Sequence, residues 1–537
     1  MINLGMDFGS TYTMVSILEN GEPRTVQSSH LMFHYPSIVC YDEDKNKYFY
    51  GTSARERLGK KGIVGFRGFK MLLNEQMNPQ MLRERNYSDK HTPEFITSFF
   101  LRSVLENTLK KLGEDKIGLL VIGAPECWFQ SIRTIDARGT LRDICMDFKD
   151  IVERVELRSE PTDAAAFCVW NYEKKNKKQF DGSILVVDYG GGTLDTALVS
   201  VNHIEDKVQI KPEMLSGIGE NSDREIGKEG IAYQEAVVRK AISEALGVPE
   251  AQISTNPSFD RAVKDLEDAL ITDCELIDDT FADYVATPSQ LKDEILLSVK
   301  YNGWDVDINF AQMKQAYDET IHSELGEGEQ PYLALVGGFC NFYLVREQIQ
   351  DHFKLGGVNA RVRTLFHKEE DREKAIAYGA CLIANRVIDV CCVANFGIGM
   401  YIKFSNRDKV FMRYAINYGQ EYIPDKIYFA RDKDGTIAPM ILTEADTFLL
   451  NFNKNPELGF PARPKERFAA ALNKAKHDSI AVVGFSIDAA ERISVHIFNY
   501  SYEAGDDGYG NTIQPAAVIP LSTFKGSFDN MVIPKKG

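Results

Sequence analysis

Two short segments carry aspartate and glycine in the spacing that phosphate chemistry needs. The first is Leu4-Gly5-Met6-Asp7-Phe8-Gly9-Ser10-Thr11-Tyr12; the second is Leu185-Val186-Val187-Asp188-Tyr189-Gly190-Gly191-Gly192-Thr193-Leu194-Asp195. A di- or triphosphate needs backbone N–H groups close around its oxygens. Side chains block that approach, so glycine is the residue type that permits it. Gly9, Ser10 and Thr11 offer one such turn and Gly190, Gly191, Gly192 and Thr193 the other, with hydroxyls as extra donors. A lone glycine triplet is a plain hairpin turn. Two of them, each after an aspartate that ends an apolar strand, favour a polyphosphate clamped between two lobes. Asp7 and Asp188 then need a neutralising partner. Magnesium held through water by both carboxylates supplies one, because that ion keeps most of its water shell. Asp195, one turn further on, is placed to steer a water or the metal's hydration shell.

Three further groups are candidates on weaker grounds. Glu160, in Arg158-Ser159-Glu160-Pro161-Thr162, begins a helix just after an apolar strand. Its periodicity alone reads as an acid favoured by the helix dipole. Lys70 is an isolated base in an apolar helix; phosphoryl transfer to water needs a cation near the γ-phosphate. Leu333-Ala334-Leu335-Val336-Gly337-Gly338 is a strand ending in two glycines before a helix, which brings backbone close to a flat ligand. The dinucleotide fingerprint and the Walker pattern are both absent, which argues against a dehydrogenase and a P-loop enzyme.

Around these groups the sequence alternates strands and helices. Strands are expected at 2–7, 13–18, 36–41, 117–123 and 332–336, and helices at 93–112, 131–145, 160–173, 230–247, 257–278, 344–353 and 371–388. A Gly/Glu loop is expected at 217–230. After an apolar tether, Val387 to Val393, residues 396–450 and 479–537 read as a β-rich domain interrupted by one helix, Pro464 to Lys476. The 537 residues carry 62 basic and 78 acidic side chains, and the net charge of −16 disfavours nucleic acid as a partner. No apolar run is long enough to span a membrane. No signal peptide is apparent, and nine scattered cysteines without a Cys-x-x-Cys pair fit a reducing cytoplasm.

The order of motifs resembles the actin-like ATPase superfamily. It runs Asp-x-Gly-Ser/Thr-Thr, Glu-Pro-Thr-x-Ala-Ala, Asp-x-Gly-Gly-Gly-Thr-x-Asp, Val-Gly-Gly, then Ala-x-Ala-Tyr-Gly-Ala. Within that superfamily the match is best to the seventy-kilodalton heat-shock chaperones. Ser159-Glu160-Pro161-Thr162-Asp163-Ala164-Ala165-Ala166 is similar to their Asn-Glu-Pro-Thr-Ala-Ala-Ala. Ala124-Pro125 with Arg133 looks like their switch proline and linker-sensing arginine, and Phe69-Lys70 falls where their catalytic lysine lies. The resemblance covers residues 1–386 well and 387–537 in outline.

What the resemblance implies is an α/β, two-lobed actin-like ATPase domain over 1–386, with lobe I at about 1–182 plus 363–386 and lobe II at about 183–362. A linker at 387–394 and a β-rich substrate- or partner-binding domain at 395–537 follow. The implied cofactors are ATP or ADP and Mg²⁺, the metal held through water by Asp7 and Asp188. Ser10, Thr11 and Tyr12, with Gly9 and Gly190 to Thr193, line the phosphates. Lys70, Glu160 and Asp195 position the attacking water. Gly227 and Glu229 match a phosphate- and ribose-side loop. Gly337 and Gly338 contact the adenosine, with Glu373 where the family has an acidic residue. The implied activity is slow ATP hydrolysis regulating polypeptide binding. The implied partners are unfolded or extended polypeptide or a specific client, a J-domain co-chaperone and a nucleotide exchange factor, with no nucleic acid and no membrane.

The departures are specific. The family's adenine-clamping helix is best matched by Leu291, Glu294 and Ile295, ending at Ser298, and the usual Ser and Arg after the double glycine are Phe339 and Asn341. A base stacked on Phe339 is one way to hold the adenine here. No helical lid of the family's length is expected at the end of the chain. A nucleotide-dependent scaffold or filament protein of the same fold is the alternative reading; a sugar kinase is a third, for which no substrate aspartate can be identified.

Overall fold

The computed structural model describes most of residues 1–394, leaving out 29–31, 59, 74–85, 127, 129–134, 205–206, 220–229, 254–255, 273–295, 325–331 and most of 342–368. Beyond 394 it describes 397–403, 410–431, 437, 440–441, 448–451, 460–462, 480–488, 493–499 and 517–520. The chain divides into two compact units: Met1–Cys127 with Thr140–Val390, and Trp128–Gly139 with Cys391–Gly537.

Apolar alternation followed by a glycine turn builds the first unit twice over. β1 (Ile2–Phe8) folds back on β2 (Tyr12–Glu19), which is followed by β3 (Glu22–Thr25) and β4 (His34–Pro36). A small antiparallel sheet of β5 (Val39–Asp42), β6 (Lys47–Tyr50) and β7 (Ile63–Phe66) comes next. It is followed by α1 (Phe69–Leu72), α2 (Pro93–Leu112), β8 (Ile117–Ala124), α3 (Ile135–Met146), β9 (Val152–Ser159) and α4 (Glu160–Asn176). The first sheet runs in the order β3-β2-β1-β8-β9, with β4 on β2.

The second half repeats the plan. β10 (Ser183–Tyr189) folds back on β11 (Thr193–Ile204), which pairs with β12 (Lys207–Gly219). Then come α5 (Gly230–Leu246), α6 (Pro257–Thr272), the hairpin β13 (Leu296–Tyr301) and β14 (Trp304–Asn309), and α7 (Phe310–Glu324). The unit ends with β15 (Tyr332–Val336), β16 (Arg363–Thr364), α8 (Glu369–Ala384) and β17 (Ile388–Val390). The second sheet runs β16-β15-β10-β11-β12-β17. In both sheets the hairpin is antiparallel and its first strand has a parallel neighbour: β8 beside β1, β15 beside β10.

One apolar core joins the sheets through α4 and α8. Ala164, Ala165, Ala166 and Val169 of α4 and Ala375, Ala380 and Ile383 of α8 pack with Leu119 and Val121 of β8 and with Val186, Ala197 and Val336 of the second sheet. The alanines let two helices lie close to both sheets. A second core covers the far face of the second sheet, where Val187, Tyr189 and Leu194 meet Val238, Leu266, Ile308 and Tyr317.

The second unit is β-rich where it is described. It carries β18 (Cys392–Val393), β19 (Gly397–Lys403), β20 (Val410–Ile416), β21 (Glu421–Tyr422), β22 (Tyr428–Phe429) and β23 (Met440–Ile441). It continues with β24 (Phe448–Asn451), β25 (Phe460–Ala462), β26 (Ile480–Ile487), β27 (Ile493–Asn499) and β28 (Ala517–Pro520). Two larger sheets form, β20-β19-β24-β25 and β22-β26-β27-β28. The helix expected at Pro464–Lys476 lies outside the described residues.

Several expectations need correction. The strand expected at 36–41 is two strands, broken at Ser37 and Ile38. The helix expected to run to 388 stops at Ala384, where Asn385 and Arg386 turn the chain. The tether after it is extended backbone, and β17 pairs in parallel with β12. Ser298 stands on β13, so the helix proposed to end there to clamp the base is not formed at that point.

Candidate functional site

The two hairpins face each other. A Cβ placed on Gly192 would stand 3.1 Å from Ser10 Oγ and 3.6 Å from Met71 Cγ, so the second turn lies against the first and against α1. At the first turn, Ser37 holds Gly9 by donating its Oγ hydrogen to the Gly9 carbonyl at 2.7 Å, and the Ser37 amide donates to Thr11 at 2.8 Å. Tyr12 is exposed, its ring 4.3 Å from that of His34. At the second turn the Gly190 amide donates to the Thr193 carbonyl at 2.9 Å.

Behind the turns lies a buried set of charges. Lys70 on α1 and Glu160, the first residue of α4, are 90 positions apart, and Lys70 Nζ donates to Glu160 Oε1 at 2.5 Å. Both are nearly inaccessible to solvent. Carboxylate oxygens of Glu160, Asp188 and Asp195 lie within 4.8 Å of one another. Asp188 and Asp195 are direct partners across β10 and β11. The backbone amide of Glu126, just past β8, donates to Asp195 Oδ1 at 3.0 Å and fixes that carboxylate.

The electrostatics follow from burial. Burial, reinforced by Glu160 and partly offset by Lys70, pushes the Asp7 carboxyl up to about 7. Asp188 is raised well above the ordinary carboxyl value, first by burial, then by Glu160, Asp195 and Asp7. Burial works against the Lys70 charge, but Glu160, Asp7 and Asp195 outweigh it and hold its pKa above the usual lysine value. Carboxyl groups that burial and mutual repulsion push up are the ones a cation relieves. The donor set is all oxygen, as a hard divalent cation requires.

The double glycine sits beside this set. Gly337 has φ of 81°, and a Cβ there would fall 2.5 Å from Asp188 Oδ1, so no other residue fits. At Gly338 nothing in the protein comes within 4 Å of a Cβ, so the fold itself does not demand glycine. Room left at that position suits a ligand that approaches the backbone closely. Phe339 is half-buried, with its ring against Tyr189 at 5.2 Å and Tyr317 at 5.7 Å.

Of the expected site residues, the structure brings together Ser10, Lys70, Glu160, Asp188, Gly192, Asp195 and Gly337, with Asp7 in electrostatic range. Gly9, Thr11, Tyr12, Gly190, Gly191 and Thr193 belong to the two turns. Glu373 is exposed on α8. Gly227, Glu229 and Arg133 lie outside the described residues, as do Leu291, Glu294 and Ile295.

Two residues escaped the sequence reading. Glu126 offers no signal, because its contribution is a backbone amide. Asp163 does: it stands where the chaperone motif has alanine, three residues after Glu160 and on the same helix face. It is fully buried, and neither carboxyl oxygen has a hydrogen-bond partner. Burial drives its pKa well above the ordinary value; Arg158 opposes this, while Glu160 and Asp7 add to it.

Comparison with known proteins bears on the same residues. Residues 3–213, which include both hairpins, Lys70 and Glu160, match the family model described as Hsp70 protein. The chain is similar to the Chaperone protein DnaK of Carsonella ruddii, 23% identical over 409 residues that cover 71% of this chain and 62% of that protein. It is similar to the Chaperone protein DnaK of Mycoplasma mycoides subsp. mycoides, 29% identical over 227 residues, 42% of this chain and 34% of the other. With the Chaperone protein dnaK of Trieres chinensis it shares 26% identity over 219 residues, 37% and 33% of the two chains. The matches thus span from a third to three fifths of the relatives' lengths. The fold is α/β, consistent with an actin-like ATPase architecture followed by a β-rich region, and the chain is similar to the seventy-kilodalton heat-shock proteins.

Proposed function

We propose that this protein is a cytoplasmic ATP-dependent chaperone-like protein that hydrolyses Mg-ATP to regulate polypeptide binding by its β-rich C-terminal region. The observation that carries the reading is the approach of the two aspartate–glycine turns, Gly192 against Ser10, over the buried Lys70–Glu160 pair. In this reading residues 1–386 form the two-lobed ATPase domain, 387–394 the linker and 395–537 the binding domain.

Backbone amides and hydroxyls of the two turns hold the phosphates, with Gly227 and Glu229 on the ribose side. Asp7 and Asp188 would hold a hydrated Mg²⁺, whose charge neutralises the phosphate oxygens. The Lys70 ammonium, anchored by Glu160, orients the attacking water and balances charge on the γ-phosphate. Asp195, fixed by the Glu126 amide, accepts a hydrogen bond from that water. Gly337 and Gly338 give the nucleoside close backbone contact, and Phe339 supplies an apolar surface for the base. The paired β12 and β17 strands support a linker whose docking changes with nucleotide state. Extended polypeptide is the partner class, with a J-domain co-chaperone and an exchange factor as regulators.

The test is Mg²⁺-dependent hydrolysis of ATP and GTP by the full chain and by Lys70→Ala, with and without an unfolded peptide. Slow basal turnover, its near-complete loss in the variant and modest stimulation by peptide are expected. Equal rates for wild type and variant remove Lys70 from its role. No response to peptide, together with sedimentation that grows with ATP and protein concentration, favours a scaffold or filament protein of the same fold.

A further inference from the structure

An arginine with no carboxylate partner among the described residues stands beside the first glycine turn. A short helix, Gly51–Arg55, follows β6 and ends on Arg55. Arg55 is exposed, and among the described residues no carboxylate lies within ion-pair distance of it. The chain carries 78 acidic against 62 basic side chains, so carboxylates are in surplus and an arginine left without one is the exception. Its Nη1 instead donates to the Tyr12 hydroxyl, 43 positions earlier, at 3.4 Å. Tyr12 closes the turn that Gly9 opens: a Cβ on Gly9 would lie 2.2 Å from the Tyr12 carbonyl oxygen. The tyrosine is 40% exposed, so its side chain is open to a ligand.

His34 braces the tyrosine ring. It stands on β4, which pairs with β2, and its ring meets that of Tyr12 edge-on at 4.3 Å. The Ser28 hydroxyl fixes this strand end by donating to the His34 carbonyl at 2.7 Å. Burial, and then the Arg55 charge, hold the His34 pKa below its ordinary 6.5, so the imidazole is neutral near pH 7. The positive charge of this corner is therefore that of Arg55. A guanidinium is weakly hydrated and presents a planar fork of donors that matches phosphate oxygens. In the proposed function Lys70 faces the terminal phosphate, and Lys70, Tyr12 and Arg55 all come from the first half of the unit. Gly337 and Gly338, which would hold the nucleoside, come from the second. That placement puts Arg55 at the phosphate end of the ligand.

We propose that Arg55, steered by the Tyr12 hydroxyl, binds the terminal phosphate of the nucleotide and makes the site prefer a triphosphate to a diphosphate. This rests on the nucleotide-binding reading above and adds a specificity residue to it. His34 is a positioning residue, which keeps the Tyr12 ring in place under the arginine.

Calorimetry with Mg-ATP and with Mg-ADP on the full chain tests the assignment. Arg55→Ala should weaken Mg-ATP binding about tenfold, the scale of one hydrogen bond to a charged group, and Mg-ADP binding less than about twofold. Arg55→Lys keeps the charge but loses the fork, and should weaken Mg-ATP binding about threefold. The gap between wild type and Arg55→Ala should narrow as salt rises from ~0.05 to ~0.5 M, because exposed charge is screened. Arg55 is exposed, so Arg55→Ala should melt within about 1 °C of wild type without nucleotide. If that variant does not fold, Arg55→Gln takes its place with the same expectations. Equal losses for the two nucleotides, no loss for either, or a loss that salt does not narrow overturns the role of Arg55 and leaves the nucleotide reading intact. Wild type that binds neither nucleotide removes both.

Discussion

The two hairpins share a backbone plan and differ at the rung that carries the aspartate. In the first, Asp7 faces Met14 across the strands; in the second, Asp188 faces Asp195. The parallel neighbours differ too. β8 leads to the Glu126 amide that fixes Asp195, whereas β15 leads to Gly337 against Asp188. The duplicated fold thus supplies two equivalent glycine turns but an uneven set of charges. The second sheet brings the extra carboxylate, and the first brings the Lys70–Glu160 pair. In the proposed function, repetition of topology would place the nucleotide between the halves, and the break in symmetry would decide which side does chemistry on it.

The sharpest way to break this comparison is Lys70→Ala. It should lower turnover by about 10²–10³-fold, the usual loss for a preorganised charge in a water-excluded site. Single-turnover hydrolysis measures it. Next, Asp195→Asn should cost roughly 10²-fold in the same assay. The double variant Met14→Asp with Asp195→Asn should recover nothing, because it moves the carboxylate to the equivalent rung of the first sheet, away from the Glu126 amide that fixes Asp195. Recovery would show that the halves are interchangeable.

A smaller effect comes from Asp7. Its folded-state pKa of about 7 lies above its ordinary 3.8, so the native state keeps a proton that the unfolded chain has released. The stabilisation from this group is complete below pH 3.8 and is lost as pH rises through about 7. Asp7 should therefore cost the ligand-free chain up to about 1.4 kcal/mol of stability per pH unit across that window, and Asp7→Asn should make the slope shallower by that share in denaturant titrations. Affinity for Mg-ATP should rise with pH over the same interval, since the metal needs the ionised form. Smallest in stability is Gly338→Ala. The melting temperature should stay within about 1 °C, because the new methyl enters open space. Nucleotide affinity should fall by about tenfold, by calorimetry.

Much of this was legible from the sequence because turn chemistry is local. Aspartate, glycine triplet and flanking alternation lie within a dozen residues, so both hairpins could be read from spacing alone. The Lys70–Glu160 pair could not: its members are 90 positions apart, and each in isolation is an ordinary helical charge. The resemblance to the chaperones named both, and the structure joins them. The linker was legible as apolar but not as a strand, because its partner β12 lies about 180 residues upstream and pairing register is a long-range fact. Ser298 misled for a different reason. Its segment was matched to a helix of the family, whereas Tyr301-Asn302-Gly303-Trp304 is the turn of a β-hairpin, with Asn302 and Gly303 both at positive φ. Phe339 was legible as the residue after the double glycine, but its ring partners Tyr189 and Tyr317 come from distant parts of the chain.

The place of α8 bears on how the chain is made. A Cβ on Gly379 would lie 1.6 Å from the Asp163 carbonyl oxygen, and one on Gly5 would lie 2.1 Å from the Cys381 amide nitrogen. Ser16 Oγ also donates to the Ala377 carbonyl at 2.5 Å. The helix that seals the opening strands is therefore encoded after every strand of the second sheet but β17. On the ribosome, β1 and β2 must wait for more than 350 further residues to be synthesised before their packing is complete. A nascent chain stalled before α8 should stay protease-sensitive along its first strands and offer apolar surface to whatever guards emerging polypeptides.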